Sequence, residues 1–197
     1  MSSKDDILKA ARAQLSEAFE LPALDEGPWT TYANSLQQFR DTLASVGGNA
    51  VVVRSDDELQ AALNEIEAYR DASQICSLVP GIAGANVAID DFTDPHQLER
   101  IDFAVGQAEF GVAENGAVWV TGTSDCHKAL YFITQHLAIV VPAREIVDNM
   151  HQAYQRITFG KPGFGVFISG PSKTADIEQS LVIGAHGSRS LTVFLRE

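Results

Sequence analysis

From Ala50 to Leu195 the apolar residues keep changing rhythm: short unbroken runs give way to amphipathic stretches, and the runs then return. This alternation constrains the fold more than any other feature of the chain. Runs such as residues 50–53 and 137–141 suit strands buried on both faces. Leu59, Ala62, Leu63 and Ile66 repeat at helical spacing instead. Strands separated by helices need right-handed crossovers, which implies an α/β fold with a mostly parallel sheet flanked by helices.

The remaining segments fill in this scheme. Ser55 with Glu58 forms a capping box before the helix through Ile66. Strands are expected at 75–79, 87–89, 164–169 and 191–195, and helices at 95–101, 144–157 and 174–182. Between Asp102 and Thr121, the runs 103–105, 110–113 and 117–121 are punctuated by Gly106, Gly111 and Gly116, which predicts a small strand–turn–strand insertion. Ahead of Gly48 the spacing is helical. Ile7, Leu8, Ala11, Leu15, Ala18 and Phe19 form one stripe. Trp29, Tyr32, Leu36, Phe39, Leu43 and Val46 form a second, stopped by Gly47 and Gly48. The expected organisation is one domain over 1–197, with a helical N-terminal appendage at 1–48 packed on an α/β body at 49–197.

Charge and cysteine content exclude several classes. The net charge is −12 and Lys and Arg do not cluster, whereas a nucleic-acid binder needs a basic surface. The longest apolar run, 137–143, is too short for membrane insertion and contains Pro142. Met1 to Asp6 is polar and unlike an export signal. Two cysteines, Cys76 and Cys126, without a Cys-x-x-Cys pair, fit a reducing, cytoplasmic setting with no metal site and no cofactor on this chain.

The strongest candidate for chemistry is Ser169-Gly170-Pro171-Ser172-Lys173-Thr174-Ala175-Asp176-Ile177-Glu178, where a strand is expected to end and a helix to begin. Free N–H groups at a helix start attract anions, and Ser172, Lys173 and Thr174 add donors for a carboxylate or phosphate. The same residues also suit a simple helix cap. A Walker motif is absent, since no glycine precedes Lys173. Gly184-Ala185-His186-Gly187 follows, with His186 on an uncrowded loop and of a type suited to proton transfer or anion contact. The alternative is a helix end with a surface histidine. In Ala113-Glu114-Asn115-Gly116, Asn-Gly signals a two-residue hairpin, and Glu114 is either a turn-edge acid or a positioned base or nucleophile. Asp125-Cys126-His127 reads better as structural than as a metal pair, and His96, His136 and His151 are scattered.

Three segments together resemble the LUD-domain family of the lactate-utilization protein C type: Gly111 to Gly116, the Leu137 to Pro142 strand, and Ser169 to Glu178 with Gly184 to Gly187. The resemblance spans roughly residues 50–197. It implies a fold like that of ribose-5-phosphate isomerases and CoA transferases. It further implies a subunit or accessory role in L-lactate oxidation beside iron–sulfur partner proteins that carry the clusters. The expected ligand is a small organic acid or a phosphate-bearing compound. Glu114 and His186 are the candidate catalytic residues. Asn115, Gly116, Ser169, Gly170, Ser172, Lys173, Thr174 and Gly187 are the candidate ligand-binding residues. The family pattern has Ala-Glu-Thr-Gly followed by a small hydroxyl residue, where this chain has Asn115 and Ala117. Glu-Asn-Gly also resembles the turn that bears the catalytic glutamate of CoA transferases. A stand-alone CoA-transferase-like or sugar-phosphate isomerase-like enzyme using Glu114 is therefore the rival reading, and an organic-acid sensor is a third. If the three segments form one site, they should line a common cleft at the carboxyl edge of the sheet.

Because ligand-spaced Cys and His are missing, elemental analysis of the purified chain is expected to find no stoichiometric iron or zinc.

Overall fold

A parallel sheet with no exposed central face organises the chain. Its strand order is β1 (Asn49–Val53), β9 (Ser190–Arg196), β6 (His136–Pro142), β3 (Phe103–Gln107) and β2 (Ile75–Ser77), and every pair is parallel. The structure is a computed structural model and describes residues 3–14, 27–122, 125–158, 163–174, 182–184 and 186–197. Side chains alternate across the pleat. Leu137, Ile139 and Val141 of β6 therefore enter one core with Leu191, Val193 and Leu195. Ala138 and Val140 enter another with Phe103 and Phe194.

Helices α3 (Asp56–Glu65) and α4 (Glu67–Arg70) cover the second core with Leu59, Leu63 and Tyr69. The expected cap on α3 is present: the Ser55 side chain accepts the Glu58 N–H at 3.1 Å, and Glu58 reaches back to the Arg54 N–H at 2.9 Å. The first core is covered by α2 (Ser35–Ser45), through Phe39 and Leu43, and by α5 (Asp125–Ile133), through Leu130. A second sheet closes it, in the order β7 (Ile146–Val147), β4 (Phe110–Val112), β5 (Ala117–Thr121) and β8 (Gly165–Ile168). Val118 and Val120 of this sheet face the shared core. Phe110, Val112 and Trp119 face α6 (Met150–Arg156) with Ala153.

Several sequence expectations change here. The segment at 103–107 belongs to the parallel sheet, and the expected insertion is a four-stranded sheet that recruits β7 and β8. The helix expected at 144–157 starts only at Met150, capped by Asn149, because Ile146 and Val147 pair with Gly111 and Val112. The connection between β4 and β5 has four residues, 113–116, since Val112 pairs with Ala117. Helix α5 occupies a segment for which no element was expected. Strand 87–89 shrinks to a single bridge from Val87 to Cys76, and 95–100 is a 3-10 turn. Of the two leading helices, α2 is packed into the core, while α1 (Ser3–Ala13) buries none of its residues. Leu15, Ala18 and Phe19 of the first stripe lie outside the described residues, as does the interior of the helix expected at 174–182.

Phe39 is fully buried and Ile7 is 65% exposed. Phe39→Ala should cost about 3–5 kcal/mol through lost burial and a residual cavity, and Ile7→Ala should stay within about 0.5 kcal/mol. Urea unfolding of both variants checks this contrast.

Candidate functional site

Ser169 follows β8, and β8 runs antiparallel to β5 in the smaller sheet. Its carboxyl end therefore does not open at the carboxyl edge of the parallel sheet. Instead, residues 169–172 lie over the amino ends of β6 and β9. There they meet the segment before β9 and enclose a cleft of about 250 Å³. Leu137 and Leu191, the second residues of two parallel strands, line it together with Phe132, Phe167, Ser172, His186 and Ser188. The expectation of a carboxyl-edge site is thus corrected for this segment.

The two loops are held together by backbone pairing. The Ser172 N–H donates to the Ser188 carbonyl at 2.8 Å, the Gly184 N–H to the Ser172 carbonyl at 2.8 Å, and the Thr174 N–H to the Val182 carbonyl at 3.1 Å. Lys173 and Ile183 form an antiparallel bridge. The Ser172 and Thr174 N–H groups, expected to greet an anion, are therefore already spent. Gly187 makes the closeness possible: a Cβ there would stand 3.0 Å from the Ser172 Cβ and 3.1 Å from the Phe132 carbonyl oxygen. Gly170 has φ +72, and a Cβ on it would meet the Val46 carbonyl at 2.7 Å, so glycine also lets this loop sit on the end of α2.

Of the expected ligand-binding residues, Ser169, Gly170, Ser172 and Gly187 line the cleft, as does the candidate catalytic residue His186. Lys173 and Thr174 do not, and the Thr174 hydroxyl accepts the Val182 N–H at 3.1 Å. The Glu114 turn reaches only the far side of the loop, where the Ser169 hydroxyl donates to the Asn115 carbonyl at 2.7 Å. The Asn115 side chain accepts the Ala117 N–H at 3.1 Å. Gly116 has φ +63 and lies against the Leu43 backbone. Glu114 does not line the cleft, and its carboxylate accepts the Met150 N–H at 2.9 Å at the start of α6. Two of the three segments converge, and the third supports them from behind.

Sequence reasoning missed Ser188. It is 6% exposed and lines the cleft, and its Oγ has no hydrogen-bond partner among the described residues. A buried hydroxyl left unpaired costs roughly 1–3 kcal/mol, and this one has almost no accessible surface of its own. No motif singles Ser188 out, because it looks like an ordinary polar residue before a strand. Tyr131 forms another part of the wall. Burial pushes its phenol up to about 12, so it stays neutral, and its hydroxyl donates to the Gln107 carbonyl at 3.4 Å.

A more open cleft of about 540 Å³ does lie at the carboxyl ends of β2 and β3, lined by Asp90, Gln107, Glu109, Thr121 and His127. Its two carboxylates repel anions. Glu109 already accepts the Thr121 hydroxyl at 3.0 Å, and the Asp90 side chain is 93% exposed. Cys76 lies buried beneath, its thiol pushed up to about 11 by burial and then by Asp90, which makes it inert as a nucleophile near neutral pH. The Cys126 side chain lies outside the described residues. No group of three or more His, Cys, Asp or Glu able to hold a metal occurs among the described residues, and no described helix is long and apolar enough to cross a membrane.

The signature of the LUD domain matches residues 36–195. The chain belongs to the LUD domain family. The match begins inside α2, in keeping with the burial of Phe39 and Leu43. Its relatives include lactate utilization protein C of Geobacillus thermodenitrificans, 27% identical over 197 residues, covering 94% of this chain and 76% of the relative. Lactate utilization protein C of Anoxybacillus flavithermus is 28% identical over 155 residues, covering 76% of this chain and 66% of the relative. Among solved structures, a DUF162 family protein from Deinococcus radiodurans matches with a TM-score of 0.60 at 19% identity, covering 86% of this chain and all of that one. That likeness speaks to the fold.

Because Glu114 holds the first turn of α6, Glu114→Ala should lower stability by about 0.5–2 kcal/mol, the usual range for a lost helix cap. Glu114→Gln keeps an acceptor and should cost less. Urea unfolding of the two variants measures the difference.

Proposed function

We propose that this LUD-domain chain is a ligand-binding subunit of an L-lactate oxidation system, taking a small organic acid in the cleft between residues 169–172 and 186–188. The names of its relatives support the process, and the observation that carries the site is the small cleft itself, where Ser172, Gly187 and an exposed His186 stand around an apolar floor of Leu137 and Leu191. In this reading, electron transfer belongs to iron–sulfur partner proteins, since the chain has two cysteines and no ligand-spaced pair of them.

The cleft can bind and orient, and it can shed water. Leu137, Leu191 and Phe167 accept the carbon skeleton of a small acid. His186 stands exposed at the rim, where a carboxylate keeps partial contact with solvent. Ser172 adds a hydroxyl to the lining. At about 250 Å³ the cleft lies below the usual range of ligand pockets, which suits a metabolite rather than a whole CoA thioester. The Glu114-based enzyme reading draws no support from the cleft, because that carboxylate serves α6.

A thermal-melting titration with L-lactate and pyruvate tests the reading. A ligand that binds only the folded chain adds about 2.7 kcal/mol at one hundred times its dissociation constant, so Tm should climb with concentration. Flat melting curves with both acids up to the millimolar range would sink the reading.

A further inference from the structure

We propose that a second cleft, on the other face of the parallel sheet, binds a small zwitterion: an amino acid whose carboxylate meets Arg189 and whose ammonium group meets Glu67, Asp71 and Asp102. The proposal goes beyond the organic-acid cleft and does not depend on it.

Strand register places the groups. His136 opens β6 and pairs with Phe103 of β3 on one side and with Ser190 of β9 on the other. Asp102 and Arg189 each stand one residue before their strand, so they flank β6 at the same level. Two strand spacings set their backbones roughly 10 Å apart. Helix α4 brings Glu67 at its start and Asp71 at its end to the Asp102 side. With Gln135 and His136 between the two sides, these residues line a cleft of about 440 Å³, a size usual for small-molecule sites.

The frame of this cleft is already fixed. The Asp102 carboxylate accepts the Ser73 and Gln74 N–H groups at 2.8 and 2.9 Å, both through Oδ2, and its Oδ1 makes no hydrogen bond among the described residues. The Arg189 N–H donates to the Gln135 carbonyl at 2.8 Å, and the His136 N–H to the Asp102 carbonyl at 3.0 Å. The His136 ring lies nearly parallel to Phe103, with Nδ1 2.8 Å from the Ser190 Oγ.

Opposite charges share the cleft without pairing. Among the described residues, none of Glu67, Asp71 and Asp102 forms an ion pair with Arg189 or His136. Burial, and then the Arg189 charge, hold the His136 imidazole below its ordinary range against the pull of Asp102. The ring is therefore neutral at neutral pH. The cleft keeps one positive end and one negative end. A monocarboxylate finds Arg189 but faces three acids, and an amine finds the acids but leaves Arg189 unmatched. A molecule carrying both groups is matched at both ends.

NMR titration of the unmodified chain with L-alanine and 4-aminobutyrate tests this. At least one of the two should shift the His136 imidazole resonances and bind at least fivefold tighter than both butyrate and butylamine. Arg189 is exposed and only its backbone is hydrogen-bonded, so Arg189→Gln should fold normally and bind the zwitterion no better than butylamine. The double variant Glu67→Gln, Asp71→Asn should bind it no better than butyrate, which keeps the test open if either variant fails to fold. The methyl resonances of Leu137 and Leu191 in the organic-acid cleft should stay in place throughout. If neither zwitterion moves His136, or if butyrate or butylamine binds as tightly, or if a folded variant keeps the unmodified preference, the proposal is overturned while the organic-acid reading stands or falls on its own melting titration.

Discussion

Every residue of β6 from Leu137 to Val141 is buried, and the strand is flanked by β3 on one side and β9 on the other. It has no face left for solvent. That double burial requires apolar cover on both sides of the sheet and rules out a one-sided arrangement. Helices α3 and α4 supply one cover. The other side is too broad for α2 and α5 alone, and the second sheet lays Val118 and Val120 into the same core. The cleft is the place where this second cover stops short, over the amino ends of β6 and β9.

What the sequence makes legible is what is decided locally. The 137–141 run, the Ser55 cap and the Gly47–Gly48 stop each depend on residues a few positions apart, and each is present. Partnership at long range is less visible. Ile146 and Val147 continue an amphipathic pattern that reads as helix, yet they pair with Gly111 and Val112, thirty-five positions earlier. Nothing local announces that pairing. Helix α5 is hard to see for a different reason: it is only nine residues long and opens on the polar Asp125-Cys126-His127, which leaves a short apolar spacing at Leu130 and Ile133.

The site divides in the same way. Gly170 and Gly187 mark close approaches of backbone, so the loops around them stand out, and both line the cleft. Glu114 also stands out, but what made it conspicuous was its turn, and the turn serves α2, β5 and α6 rather than a ligand. Ser188 carries no such mark. Its place on the cleft wall is set by the pairing of its carbonyl with the Ser172 N–H, and that pairing exists only once the chain is folded.

The pairing of β1 with β9 sets a timetable for the nascent chain. Asn49 lies opposite Thr192, 143 positions later, and among the described residues β9 is the only neighbour β1 has in the sheet. At about 5–20 residues per second, β9 leaves the ribosome roughly 7–30 s after β1. Throughout that interval Val51, Val52 and Val53 have no strand to dock against, while β6 can pair with β3 as soon as it emerges. The sheet therefore grows from its β3 side outward, and the strand that comes first in the sequence joins it only after β9 has bridged the gap.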